Sequence, residues 1–245
     1  MQAIILAAGR SSRLASALQG QPKCLAPLDD LYLIEYQLEM LRYCGITEVC
    51  IVLGYRAEEV RSVVGRRCHY ILNERYAETN SLYSLSLARH WVRETFLVLN
   101  CDVLAHPHIY RQLLATPGNA LAYDSRSGTE DEHMKVVFAN GQLQRISKAL
   151  PAVDSQGENV GLLKFATWSV EPFFREAQAA LALEGDNQWA PAAVQRFALN
   201  WPMGGVDITG MPWIEIDFPE DLEAASTRVW PTIRPVFHQA IPLAA

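Results

Sequence analysis

The chain opens on an apolar run, residues 1–6, rich in Ile and Leu, which breaks at once into Ala7, Ala8, Gly9, Arg10, Ser11, Ser12 and Arg13. A short continuous apolar run reads as a strand buried on both faces. Leu31, Ile34, Leu38 and Leu41 then recur at helical spacing, with Gly45 as a stop, and predict a helix over 31–44. The alternation continues with a strand at 48–53, a helix at 57–64, a strand at 68–72, a helix at 80–91 and a strand at 96–99. That order predicts an α/β chain: a mainly parallel, Rossmann-like sheet with helices on both faces. Ligands of such sheets sit beyond the carboxyl ends of the strands, where the loop after residue 6 and Asp102 both fall.

The pattern changes after about residue 119. Runs at 120–123, 133–138, 142–147 and 160–167 read as strands joined by turns, and Asn140-Gly141 is a hairpin signal. A helix follows at 171–183, then a short strand at 213–217, then a helix opened by Pro219 that runs to about 229. Further prolines beyond residue 230 leave no clear pattern there. The expected organisation is a single domain over 1–230, with a small β-rich insertion at about 124–170 that covers the site, and a tail at 231–245.

Composition narrows the function classes. Half of the 245 residues are hydrophobic and the net charge is −6. A chain of this size buries roughly 70–75% of its unfolded surface. The acidic balance argues against nucleic acid as a partner. Five cysteines, an odd number with no Cys-x-x-Cys, suit reduced thiols in a cytoplasmic protein. No stretch is long enough to span a membrane, and the apolar start lacks the basic flank of a secretion signal. A homodimer is left open.

An anionic ligand must therefore meet local cations, and Arg10, Arg13 and Lys23 form such a cluster. Small residues after a buried strand let backbone N–H groups approach a phosphate while basic side chains neutralise it. The loop matches neither G-x-x-x-x-G-K-[ST] nor G-x-G-x-x-G, so a solvated turn is its plain alternative. Asp102, after the strand at 96–99, and Asp217, at the end of the strand at 213–217, are strand-end carboxylates. Two such groups can share one Mg²⁺ with phosphate oxygens, while a turn or a helix cap is the plain alternative for each.

Together these residues resemble the nucleotidyltransferases that make sugar and alcohol nucleotides. That family runs from a strand into L-A-A-G-x-G-x-R, then P-K-x-L, then a strand-end Asp, then E-x-D. Here these are Leu6-Ala7-Ala8-Gly9-Arg10-Ser11-Ser12-Arg13, Pro22-Lys23-Cys24-Leu25, Asp102 and Glu215-Ile216-Asp217. Ser11 stands where the second glycine usually sits, and Arg10 takes the variable position without an assigned role. The stretch from Asn73 to Leu85 is similar to a segment of bacterial phosphocholine and 2-aminoethylphosphonate cytidylyltransferases. The segments 131–136 and 158–165 look closer to the phosphonate type.

The resemblance implies CTP as donor, a small phosphonate or phosphorylated alcohol or amine as acceptor, and pyrophosphate as product. It implies Lys23 and Arg13 as catalytic cations and Mg²⁺ on Asp102 and Asp217. The nucleotide would lie on Leu6, Ala7, Ala8, Gly9, Arg10, Ser11, Ser12, Arg13, Lys23 and Asp102, with Asn80 and Ser81 at the edge of the base. The acceptor would meet Tyr83, Asp131, Glu132, Lys135, Lys148 and Trp189. There the acids would pair with an amine, a lysine with the phosphonate, and Tyr83, Trp168 and Trp189 would offer aromatic faces. Ala190-Pro191 departs from the polar or acidic pair expected after the tryptophan. A nucleotide-sugar pyrophosphorylase or a MobA-like guanylyltransferase is the near alternative, and a non-catalytic nucleotide-binding regulatory module is the distant one.

Overall fold

The structure is a computed structural model that describes residues 1–241. Positions 242–245 of the expected tail lie outside the described residues.

The first half alternates as its pattern predicts. β1 (Gln2–Ala7) leads to a short hairpin, β2 (Pro27–Leu28) and β3 (Leu31–Tyr32), and then to α1 (Leu33–Tyr43). Next come β4 (Glu48–Leu53), α2 (Ala57–Val64), β5 (His69–Leu72), α3 (Ser81–Leu87), β6 (Phe96–Asn100), β7 (Val103–Ala105) and α4 (Pro107–Ala115). The second half supplies β8 (Ala120–Asp124), β9 (Lys135–Ala139), β10 (Gln142–Ser147), β11 (Glu158–Phe165), α5 (Val170–Glu184) and α6 (Ala190–Ala198). It ends in β12 (Gly204–Asp207), β13 (Trp213–Glu215), α7 (Pro219–Ala224) and α8 (Trp230–Ala240).

Among the described residues nine strands form one sheet, ordered β5-β4-β1-β6-β11-β8-β12-β10-β9. β5, β4, β1 and β6 are mutually parallel, while β11 runs antiparallel to both of its long neighbours, β6 and β8. The strands that fall in the segment 124–170, β9, β10 and β11, all belong to this sheet. All six residues of β1 are buried, as a central strand covered on both faces requires. Alternate β1 side chains enter different cores. Ala3, Ile5 and Ala7 pack with α1, α2, α4 and α8; Ile4 and Leu6 pack with α3, α5 and α6. The result is three layers, helices over a sheet over helices.

Strand order reverses between β1 and β6, because the chain moves from β1 to β4 and β5 and returns on the other side of β1. That switch point opens a crevice at the carboxyl ends of β1 and β6. The second core is rich in aromatic rings: Phe96 stacks on Phe165 with centroids 5.0 Å apart, and Phe173 lies 4.1 Å from Phe165.

Running into the expected tail, Trp230–Ala240 form a helix. Its Trp230, Ile233 and Phe237 are buried in the first core, and the Trp230 and Phe237 rings lie 5.7 and 5.0 Å from Tyr36. A π-helical turn, Ala225–Val229, joins α7 to α8 just ahead of Pro231. Wide turns of that kind relieve the ladder where a proline cannot donate. No helix among the described residues is long and apolar enough to cross a membrane.

Candidate active site

The loop after β1 turns through Ser11, whose φ of 55° is left-handed. That geometry explains why glycine suits the position, and a serine there bears the strain of a side chain. Its hydroxyl is put to use: Ser11 Oγ accepts from the Lys23 backbone N–H at 2.9 Å and ties the two basic segments together. From the other side Tyr55 N–H donates to the Ala8 carbonyl at 3.1 Å. Gly54 makes that approach feasible, since a Cβ there would stand 2.7 Å from the Ala8 oxygen.

Lys23 projects between two carboxylates. Its Nζ lies 3.3 Å from Asp102 Oδ2 and donates to Asp217 Oδ1. Asp102 follows β6 and Asp217 follows β13, which pairs with β7; the register Glu215↔Val103 draws the two acids together. Burial works to lower the Lys23 pKa, but the charges of Asp102 and Asp217 prevail and hold it well above its ordinary value. Burial pushes the Asp102 carboxyl up, opposed by the Lys23 ammonium. Burial, with the charges of Asp102 and Asp217 added, pushes Glu215 up further, and Asn100 Nδ2 donates to it at 3.4 Å.

Arg13 forms a second tier. Its guanidinium lies 3.5 Å from Asp217 Oδ2 and 3.1 Å from Glu132 Oε2, and it packs over the Phe218 ring. Glu132 Oε2 also accepts from Lys148 Nζ at 3.2 Å, and that ammonium stands 5.1 Å from the centre of the Trp189 ring. Glu132 thus bridges the phosphate loop to the opposite rim.

These groups line one cavity of about 450 Å³, large enough for a nucleotide. Of the residues singled out in the sequence, Leu6, Ala7, Ala8, Gly9, Arg10, Ser11, Ser12, Arg13, Lys23, Asn80, Ser81, Asp102, Glu132, Lys148, Trp189 and Asp217 line it. Asn80 and Ser81 also have structural duties. Asn80 Oδ1 caps α3 by accepting from Ser81 N–H at 2.8 Å, and Ser81 Oγ accepts from Ala190 N–H at 2.8 Å.

Tyr83, Asp131 and Lys135 fall outside the cavity lining among the described residues. Tyr83 lies under the Arg75 guanidinium, 5.0 Å away. Asp131 is exposed on the loop before β9. Lys135 points inward from β9, is 2% exposed, and donates to the Lys148 carbonyl at 2.9 Å. Trp168 stands on the surface away from the cavity, half exposed. Lining residues that the sequence did not single out include Asn100, Met134 and Asn159. Asn159 sits beside Gly161 in β11, where the register shifts against β8. A Cβ on Gly161, at φ 77°, would stand 2.6 Å from Asn100 Nδ2, so this glycine lets Asn100 reach the cavity.

The donor set suits a hard divalent cation. Asp102 Oδ1 is buried without a hydrogen-bond partner among the described residues, and Asp217 adds a second carboxylate. Among the described residues no three His, Cys, Asp or Glu side chains are placed to hold a metal ion by themselves. An ion here would complete its shell with substrate oxygens and water, the habit of Mg²⁺.

A basic loop after β1, a lysine between two strand-end carboxylates and a crevice at the switch point thus lie together at one end of the sheet. The chain belongs to the MobA-like NTP transferase domain family, whose model matches residues 3–171. It is 26% identical to the CMP-5'-(3-aminopropyl)phosphonate synthase of Streptomyces rubellomurinus over 94% of this chain and 39% of that protein. It is 34% identical to the choline-phosphate cytidylyltransferase of Haemophilus influenzae over 60% of this chain and 62% of that one. The chain thus spans less than two thirds of either relative. A third relative, the CTP:phosphoglutamine cytidylyltransferase of Campylobacter jejuni, is 24% identical over 91% of this chain and 98% of its own length. The fold is that of the CTP:phosphocholine cytidylyltransferase of Streptococcus pneumoniae, with a TM-score of 0.78 at 23% identity over 92% of this chain and 97% of that one.

Proposed function

We propose that this chain transfers the CMP moiety of CTP to a small phosphonate or phosphomonoester and releases pyrophosphate. The observation that carries the reading is Lys23, held protonated between Asp102 and Asp217 beside the phosphate loop. The cytidylyl part draws its support from the relatives, each of which is named for a CMP product or for cytidylyl transfer.

An acceptor oxygen attacks the α-phosphorus of CTP; the new P–O bond forms as the bond to pyrophosphate breaks, and its electron pair leaves with pyrophosphate. Phosphonate and phosphate oxygens are already ionised at neutral pH, so no side chain need remove a proton. The work left to the protein is positioning and charge neutralisation. Lys23 and Arg13 would meet the triphosphate and the charge that grows on the leaving group. The loop N–H groups and Ser11 would fix the approach, and Asn80, Ser81 and Ala8 would border the base. Mg²⁺ held by Asp102 and Asp217 would neutralise phosphate charge and hold the reacting oxygens in line.

The test is pyrophosphate release from each of the four NTPs with Mg²⁺ and a panel of acceptors: aminoethylphosphonate, hydroxyethylphosphonate, phosphocholine, phosphoethanolamine and sugar 1-phosphates. CTP with a phosphonate or phosphomonoester should be fastest. GTP or UTP with a sugar phosphate as the best pair would replace this reading with a sugar-nucleotide one. No release from any pair, alongside tight nucleotide binding, would favour a regulatory module.

A further inference from the structure

The rim of the cavity that carries Glu132 and Trp189 has the parts of an ammonium site, yet a lysine of this chain already fills it. Glu132 is the carboxylate of that rim. Its Oε2 accepts from Arg13 at 3.1 Å and from Lys148 at 3.2 Å. The exposed ring of Trp189 is the face a cation would seek, and the Lys148 ammonium stands over it at 5.1 Å. The position of Lys148 is fixed from below, where the buried Lys135 donates to its backbone carbonyl at 2.9 Å. The other carboxylates that line the cavity, Asp102, Asp217 and Glu215, gather around Lys23 and not at this rim.

An acceptor ammonium at this rim would find its carboxylate paired and its aromatic face covered, and would lie beside a like charge. Such juxtaposition is how a site rejects a competitor. An acceptor carboxylate would meet an ammonium whose carboxylate partner among the described residues, Glu132, is half exposed to water, a hold weak enough to exchange.

We propose that Lys148 is the specificity-determining residue of the acceptor site. It selects acceptors whose end remote from the phosphonate or phosphate is a carboxylate, and it rejects those ending in an amine or quaternary ammonium. The proposal rests on the transferase reading of the same cavity.

The test compares three acceptors of similar size: 2-carboxyethylphosphonate, 2-aminoethylphosphonate and propylphosphonate. With CTP and Mg²⁺ the carboxylate should be preferred to the amine by about tenfold or more in kcat/KM. Lys148→Met should collapse that ratio at least tenfold, and Lys148→Arg should keep its direction. A preference for the amine, or a ratio unmoved in Lys148→Met, overturns the proposal. Calorimetric titration of the three acceptors into the CTP- and Mg²⁺-loaded protein reads the same preference without turnover. Carboxylate-selective binding with no turnover overturns the transfer reading and supports the role of Lys148. Binding of none, or of all three equally, overturns that role.

Discussion

Lys23 gives up most of its hydration, and its ammonium survives only because Asp102 and Asp217 flank it. Replacing it by Met keeps the bulk and removes the charge. Lys23→Met should lower the rate of pyrophosphate release by about 10²–10³-fold, the usual cost of one preorganised group that stabilises developing charge. The two acids would also lose their resident countercharge, so the variant should bind divalent cations more tightly than the parent in a metal titration. Unchanged or weaker metal binding would argue that the acids do not form the ion's site. Glu158, buried at the start of β11, gives a pH test. Burial pushes its carboxyl above the usual 4.5, partly offset by the hydroxyl hydrogen bond from Ser127. Above 4.5 and up to its raised pKa, the folded chain holds a proton that the unfolded chain has released. Stability must therefore fall as pH rises through that window. Glu158→Gln should flatten the fall of the urea midpoint as pH rises above 4.5, and a slope unchanged from the parent would refute the assignment. At this scale Lys23, Asp102 and Asp217 were legible because each follows a recognisable strand or loop. Lys135 was not: the sequence offered it to the acceptor, but it opens β9 buried, with its ammonium donated to the Lys148 carbonyl, a tertiary partner that leaves no trace in the pattern.

Elements with a clean period were legible almost to the residue. The strand expected at 48–53 and the helix expected at 57–64 are β4 and α2. α8 was hidden because Pro231 and Pro235 read as breakers, while the burial that holds the helix against Tyr36 is a tertiary fact. α4 carried signals that could have found it: Pro107 at its first turn, then Ile109, Tyr110 and Leu113 on one face. β11 shows why the acceptor side resists sequence reading. A register shift and a left-handed Gly161 set which of its residues reach the cavity, and neither leaves a periodic trace. Gly161→Ala should cost about 1–2 kcal/mol in backbone strain alone, and more because its methyl meets Asn100 at 2.6 Å. Denaturant unfolding would read the loss. Turnover should fall further than the same loss of stability causes at a surface site, because Asn100 borders the reacting groups. Wild-type stability in this variant would show that β11 relaxes freely around position 161.

Across the whole molecule the cavity joins two unlike halves of one sheet, the parallel half that bears the phosphate loop and the mixed half that bears Glu132, Lys148 and Asn159. Over the open rim they are tied by the exposed pair Arg13–Glu132, whose carboxylate is also held by Lys148 of its own half. A pair of that kind contributes about 0–1 kcal/mol, so a ligand that bridges the halves can replace it at little cost. Nucleotide binding should therefore register as global stabilisation. At about a hundredfold excess over its Kd, CTP with Mg²⁺ should add about 2.7 kcal/mol, which for a chain of this size raises Tm by roughly 5–11 °C. ATP, GTP and UTP at the same concentration should shift Tm less. Excess chelator should remove most of the CTP shift, because Asp102 and Asp217 would then face the triphosphate with Lys23 between them and Arg13 beside Asp217 as their counter-charges. A larger shift with GTP would reassign the base, and a CTP shift indifferent to chelator would detach the two carboxylates from metal binding while leaving Arg13 and Lys23 as the groups that hold the nucleotide.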